Sequence, residues 1–153
     1  MLRSSRIHGP ALLLLALLLG GCASAPRVHE AAPGEVIAST ALAQVGRPYL
    51  YGGFTPEGFD CSGLVRYAYL AAGFTVPRTT EDQYSAARRI SLRKLEPGDL
   101  LFFRIGSREV SHVAIYAGER RFVHAPKTGK PVETKSLDDP YYRDRLVSAG
   151  RLY

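Results

Sequence analysis

Cysteine is scarce in this sequence: Cys22 and Cys61 are the only two in 153 residues, too few for a disulfide-stapled scaffold. No CxxC pair and no HExxH run occurs, so the close-spaced zinc signatures are missing. Charged residues make up a modest 22%, with no dense Lys/Arg block. The formal net charge is +6, but of the 20 basic residues two, Arg3 and Arg6, fall in a segment read below as cleaved, leaving 18 against 14 acidic ones. A surplus of that size is ordinary surface charge, and no nucleic-acid partner is expected. Internal repeats are absent. A hydrophobic share of 46% excludes a disordered chain, and the length suits one domain with a real core.

No apolar run is long enough to cross a bilayer. The longest, Ala11 to Leu19, has about half of the roughly 20 residues a spanning helix needs. With Arg3 and Arg6 before it and Gly20-Gly21 after it, residues 1–21 read as a secretory signal peptide. Leu19-Gly20-Gly21-Cys22 resembles the lipobox of bacterial lipoproteins, which implies cleavage before Cys22, lipidation of its sulfur, and a membrane attachment through that lipid. Ala23 in place of Asp after the cysteine points to the periplasmic face of an outer membrane. Residues 22–34, rich in Ala and Pro, read as a tether, and residues 35–153 as the folded domain. With Cys22 acylated, Cys61 is a free thiol in an oxidising compartment, either buried and inert or kept for its reactivity.

Helical spacing of Val36, Ile37, Thr40, Ala41 and Val45, stopped at Gly46, predicts an opening helix. Gly46 to Phe59 reads as loop. Cys61 to Ala72 predicts a second helix ending at Gly73, with Asp60 as N-cap and Cys61 in the first turn. Thr80-Glu81-Asp82-Gln83 matches a capping box opening a third helix to about Arg88. After Pro97-Gly98 the runs 100–104, 110–116, 121–124 and 146–152 are short and β-prone. Helices first and strands second predict an α+β fold with a small antiparallel sheet.

Strand alternation puts His112, Ala114 and Tyr116 on one face. A hairpin loop of odd length centred on Gly118 sets His112 directly opposite His124, within side-chain contact. A two-residue turn on Gly118-Glu119 would send them to opposite faces. With the turn favourable, Cys61 at a helix N-terminus, His112 as base and His124 as orienter form a nucleophile, base and third residue suited to acyl transfer, the thiol being activated by the helix end and an imidazolium. Main-chain N–H groups at the start of the Cys61 helix are candidate oxyanion donors. Core packing of Cys61 and a Cys/His/His zinc site are the other readings of these residues.

GRPYLYGGFTPEGFDCSGLVRYAY, VPRTTEDQY, LEPGDLLFF and HVAIYAGERRFVHAP resemble the consecutive signatures of the NlpC-type cell-wall cysteine peptidases, over about Val36 to Tyr153. The resemblance implies a minimal papain-like fold, a cysteine helix packed on an antiparallel sheet carrying histidine. It implies Cys61 as nucleophile, His112 as base and His124 as third polar residue, with Tyr49 beside the nucleophile at the oxyanion or substrate, and Asp60 and Ser62 shaping the cleft. It implies hydrolysis of an amide in peptidoglycan stem peptides or their cross-links, with no cofactor and no metal. Arg78, Arg88, Arg89 and Arg93 are candidates for attracting the substrate's carboxylates. A catalytically silent wall-binding lipoprotein and a thiol amidase or acyltransferase on another substrate are the alternatives. A monomer is expected.

Overall fold

The computed structural model describes residues 31–153; the expected signal peptide, Cys22 and most of the tether lie outside the described residues. Helix α1 (Pro33–Leu42) opens with Pro33 in its first turn, and the Glu35 carboxylate accepts from the Ala32 N–H at 3.3 Å. The helix therefore begins two residues ahead of Glu35. Residues 46–59, expected as loop, contain a small antiparallel hairpin, β1 (Phe54–Thr55) and β2 (Gly58–Phe59). Helix α2 (Cys61–Ala71) follows with Asp60 as its N-cap, as expected.

Helix α3 (Thr80–Ala86) is capped one residue earlier than the capping box predicts: the Thr79 hydroxyl accepts from the Asp82 N–H at 3.2 Å and donates to its carboxylate at 2.6 Å. It also stops short of Arg88. Residues Arg88–Ile90 form strand β3, because their backbone pairs with β8 (Leu146–Arg151), and that ladder outweighs the helical propensity of Arg88 and Arg89.

The remaining elements are β4 (Leu100–Phe103), β5 (His112–Gly118), β6 (Arg121–His124), β7 (Glu133–Ser136) and the short α4 (Pro140–Arg143). The strands make one antiparallel sheet of order β3-β8-β4-β5-β6-β7. Strand β4, Leu-Leu-Phe-Phe, is buried throughout because both faces of the sheet are covered. Leu100, Phe102, Val113, Ile115 and Val123 pack with Leu64, Val65 and Ala68 of α2 and Ile37 of α1. Leu101, Phe103, Ala114 and Phe122 pack on the other face with Tyr142 of α4 and with Leu137, which follows β7.

The β5–β6 hairpin departs from its expected form. Gly118 pairs with Arg121 around a two-residue turn, Glu119-Arg120, with φ of 51° and 57° at these two residues. Such a turn alone would set residues summing to 239 opposite one another and part the histidines. A bulge between Tyr116 and Gly118 absorbs Ala117, so that Tyr116 meets Phe122 and Ile115 meets Val123. One further step sets His124 opposite Ala114 rather than His112. The two histidines thus share a face, as diagonal neighbours rather than as a directly opposed pair.

Candidate active site

Asp60 organises the start of α2. Its Oδ1 accepts from the Gly63 N–H at 2.7 Å and from the Ser62 hydroxyl at 3.3 Å, and its Oδ2 accepts from the Gly52 N–H at 2.9 Å. Arg78 closes a fork on the same carboxylate, Nη1 to Oδ1 at 3.0 Å and Nη2 to Oδ2 at 2.6 Å, and Nη1 also donates to Ser62 Oγ at 2.9 Å. One carboxylate thus joins the 50s loop, the helix end and the segment leading to α3. Gly63 is required at that junction, since a Cβ there would lie 1.9 Å from the Gly53 carbonyl oxygen. Buried Gln83 adds a further tie, donating from Nε2 to the carbonyls of Ser62 at 3.0 Å and Pro77 at 2.8 Å.

Cys61 is a free, half-buried thiol in a cavity of about 450 Å³ that Tyr49, Tyr51, Asp60, Ser62, Arg78, Thr80 and Ser111 help to line. Its sulfur is 3.5 Å from the Thr80 hydroxyl. Burial pushes the thiol's pKa up; the Thr80 hydroxyl and the main-chain N–H groups of Val113 and Ser62 act the other way. Burial thus works against the activation expected from the helix end and an imidazolium. Burial is the largest of these influences on the thiol. Oxyanion donors are also fewer than the helix start suggests. Gly63 N–H is used by Asp60, whereas Cys61 N–H has no intramolecular partner among the described residues. Tyr49 lies close enough for Cys61 and Asp60 to raise its hydroxyl pKa, after burial, so the phenol keeps its proton.

His112 stands at the root of β5, between Ser111, which lines the thiol cavity, and Val113, whose N–H acts on the sulfur. His112 Nε2 and His124 Nδ1 are 2.8 Å apart, with the rings nearly perpendicular. Both rings are buried, and burial lowers their pKa values to about 4 for His112 and about 3 for His124, the latter lowered further by His112 and Lys135. Both are neutral at pH 7. They line a second cavity of about 400 Å³ with Lys127, Lys130, Glu133, Lys135 and Tyr142 among its other walls. His124 Nε2 faces the Tyr142 hydroxyl at 3.4 Å and Glu133 Oε1 at 3.6 Å.

Tyr49, Asp60, Cys61 and Ser62 therefore share one cavity, and His112 and His124 are in contact. Of the four candidate arginines only Arg78 reaches the site; Arg88 and Arg89 lie on β3 and Arg93 just beyond it, away from both cavities. Sequence reasoning missed Thr80, Glu133 and Tyr142. Thr80 had a signal, its place at the start of a helix. Glu133 and Tyr142 had none, since the β7 and α4 segments were not foreseen. Among the described residues no three His, Cys, Asp or Glu side chains converge so as to hold a metal ion.

A cysteine in the first turn of a helix, packed on an antiparallel sheet whose adjacent strands bring two imidazoles into contact, is the architecture of a small papain-like fold. The chain belongs to the NlpC/P60 family, whose profile matches residues 46–151, a family of cysteine-type cell-wall peptidases. It is 40% identical over 121 residues to the bifunctional muramidase/DL-endopeptidase CwlT of Bacillus subtilis, covering 77% of this chain and 36% of that one. It is 36% identical over 138 residues to the murein DD-endopeptidase MepH of Escherichia coli, covering 87% and 51%. A Staphylococcus aureus protein described as similar to a lipoprotein of the NLP/P60 family superposes with a TM-score of 0.71 at 39% identity, covering 84% of this chain and 44% of that one. The chain thus spans about half or less of these relatives' lengths.

Proposed function

We propose that this protein is a murein endopeptidase that hydrolyses an amide of the stem peptide or its cross-link through Cys61, His112 and His124. The observation that carries the reading is the contact of two buried imidazoles at 2.8 Å on strands whose root adjoins the Cys61 cavity. With His112 Nε2 engaged by His124, Nδ1 is the nitrogen free to act as base. It takes the Cys61 proton as the sulfur attacks the amide carbon, so the charged pair forms only along the reaction path. The tetrahedral oxyanion is met by the Cys61 N–H and the Tyr49 hydroxyl. His112 returns the proton to the leaving amine as the thioester forms. Water then gives a proton to His112, attacks the thioester carbon, and releases the carboxylic product and the thiol.

CwlT and MepH are named for DL- and DD-endopeptidase activities, so relatives differ in the bond cut, and the cross-link is the one we favour for this chain. Digestion of purified murein by the full-length protein, with mass spectrometry of the released muropeptides, tests both points. Wild type should release peptides whose new termini identify the bond, and Cys61→Ala should lower release by at least about a thousandfold. Equal profiles for wild type, Cys61→Ala and buffer would reject the enzyme. We further propose that the chain is exported and held by lipid on Cys22 at the periplasmic face of the outer membrane; Cys22→Ser should then move it from the membrane to the soluble fraction without lowering activity per molecule.

A further inference from the structure

We propose that Glu133 is a positioning residue that sets the tautomers of both histidines, acting on His112 through His124; the proposal rests on the reading of His112 as the base. The 2.8 Å contact between His112 Nε2 and His124 Nδ1 holds a single proton. For His112 to accept the thiol proton at Nδ1, that shared proton must belong to His112 Nε2, which leaves His124 Nδ1 as acceptor. The neutral ring of His124 then carries its own proton on Nε2. His124 is only 1% exposed, so this N–H needs an acceptor inside the protein. Two oxygens face it, Glu133 Oε1 at 3.6 Å and the Tyr142 hydroxyl at 3.4 Å. Only the carboxylate is obliged to accept, since a hydroxyl can turn and donate.

The fold builds this arrangement deliberately. Glu133 is directly opposite His124 in the β6–β7 register, and Lys135 Nζ sits 3.4 Å from the other carboxylate oxygen, Oε2. The carboxylate is thus divided, Oε2 toward the ammonium and Oε1 toward the imidazole. When His112 takes the thiol proton, Glu133 also supplies a negative charge on the far side of the pair, and no proton leaves either His124 or Glu133.

Replacement by glutamine separates this role from packing. In Glu133→Gln, Lys135 claims the one carbonyl oxygen and the amide NH2 turns toward His124. With that donor facing it, His124 Nε2 accepts from the amide in preference to donating to Tyr142, so its proton moves to Nδ1, and His112 is left protonated on Nδ1, unable to take the proton from Cys61. Glu133→Ala leaves Tyr142 free to accept. A side chain that only packs would rank the near-isosteric glutamine as the milder change; tautomer control ranks it as the harsher.

The test measures kcat and KM on murein peptides for full-length wild type, Glu133→Ala, Glu133→Gln and Cys61→Ala, with 15N NMR of the imidazoles in the first three. We expect KM to be unchanged, kcat to fall a few-fold in Glu133→Ala and about a hundredfold in Glu133→Gln, and Glu133→Gln with Lys135→Met to recover part of the loss. The NMR of wild type should show both histidines protonated on Nε2, and that of Glu133→Gln both protonated on Nδ1. A wild-type His124 protonated on Nδ1, or a Glu133→Gln kcat equal to or above that of Glu133→Ala, overturns the proposal. Full activity in Cys61→Ala instead removes the catalytic reading on which it stands.

Discussion

Two imidazoles buried against each other among Phe103, Phe122 and Tyr142 resist acquiring charge, and this ties folding to pH. In the unfolded chain both rings protonate as pH falls through about 6.5. In the folded protein they stay neutral down to about 4 and about 3. Between those values the unfolded state binds more protons, so the pair costs no stability above pH 6.5 and destabilises the fold progressively as pH drops toward 3 to 4. Urea midpoints between pH 7 and 4 should therefore decline, with a shallower slope in His124→Asn. The two residues of the pair were legible because histidines on neighbouring β-prone runs are a local pattern. Their protonation was not, because it depends on how completely both faces of the sheet are covered. Glu133 was invisible for a related reason: Glu-Thr-Lys-Ser has the composition of a loop, and only its pairing with β6 makes it a strand.

Among the elements, the β5–β6 hairpin bears most directly on the site and is built from unfavourable residues. Glu119 and Arg120 both occupy the left-handed region, at a cost of roughly 1–2 kcal/mol each for residues with a Cβ. What offsets this locally is the Arg120–Asp138 ion pair, whose side chains are 65% and 63% exposed, and surface pairs so open to solvent contribute little. Replacing the turn by Asn-Gly, through Glu119→Asn and Arg120→Gly, should therefore raise stability by about 1 kcal/mol in denaturant unfolding and leave turnover intact. The sequence offered no Asn-Gly signal here, which is why the turn was centred on Gly118. The helices were easier to read because capping is chemically local. Asp60 fulfils its expected role, and the capping-box error at α3 is one residue, between two adjacent threonines that are equally able to cap.

At the scale of the whole molecule, the C-terminal strand β8 is locked to the start of β4 by charge. Asp99 is fully buried and forms a fork with Arg151, Nε to Oδ1 at 2.6 Å and Nη2 to Oδ2 at 2.9 Å, while Glu96 reaches the same guanidinium at 2.7 Å. The Tyr153 hydroxyl donates to the Pro97 carbonyl at 3.1 Å, and the Tyr69 hydroxyl to Gly98 at 2.9 Å. Asp99→Ala leaves the largely buried Arg151 with Glu96 as its only carboxylate and should cost about 2–3 kcal/mol, read from denaturant unfolding, with the activity of the folded fraction unchanged. The α+β class was legible from element order. The coverage of both sheet faces was not, because the α4 and Leu137 side is assembled from segments without periodicity.

The bulge at Ala117 leads to an unusual tolerance of shortening. Excising that alanine would take away the one residue without a partner on β6, and the tight turn would then run straight into the Tyr116–Phe122 rung with both imidazoles still facing each other. Losing a single residue between 113 and 116 would instead turn the residues lying between the gap and Ala117 to the opposite side of the sheet if the bulge closes, and His112 itself if the bulge persists. Length variants of this hairpin should thus be mildest at Ala117 and harsher at its four predecessors, with every residue of the site still spelled out in the chain.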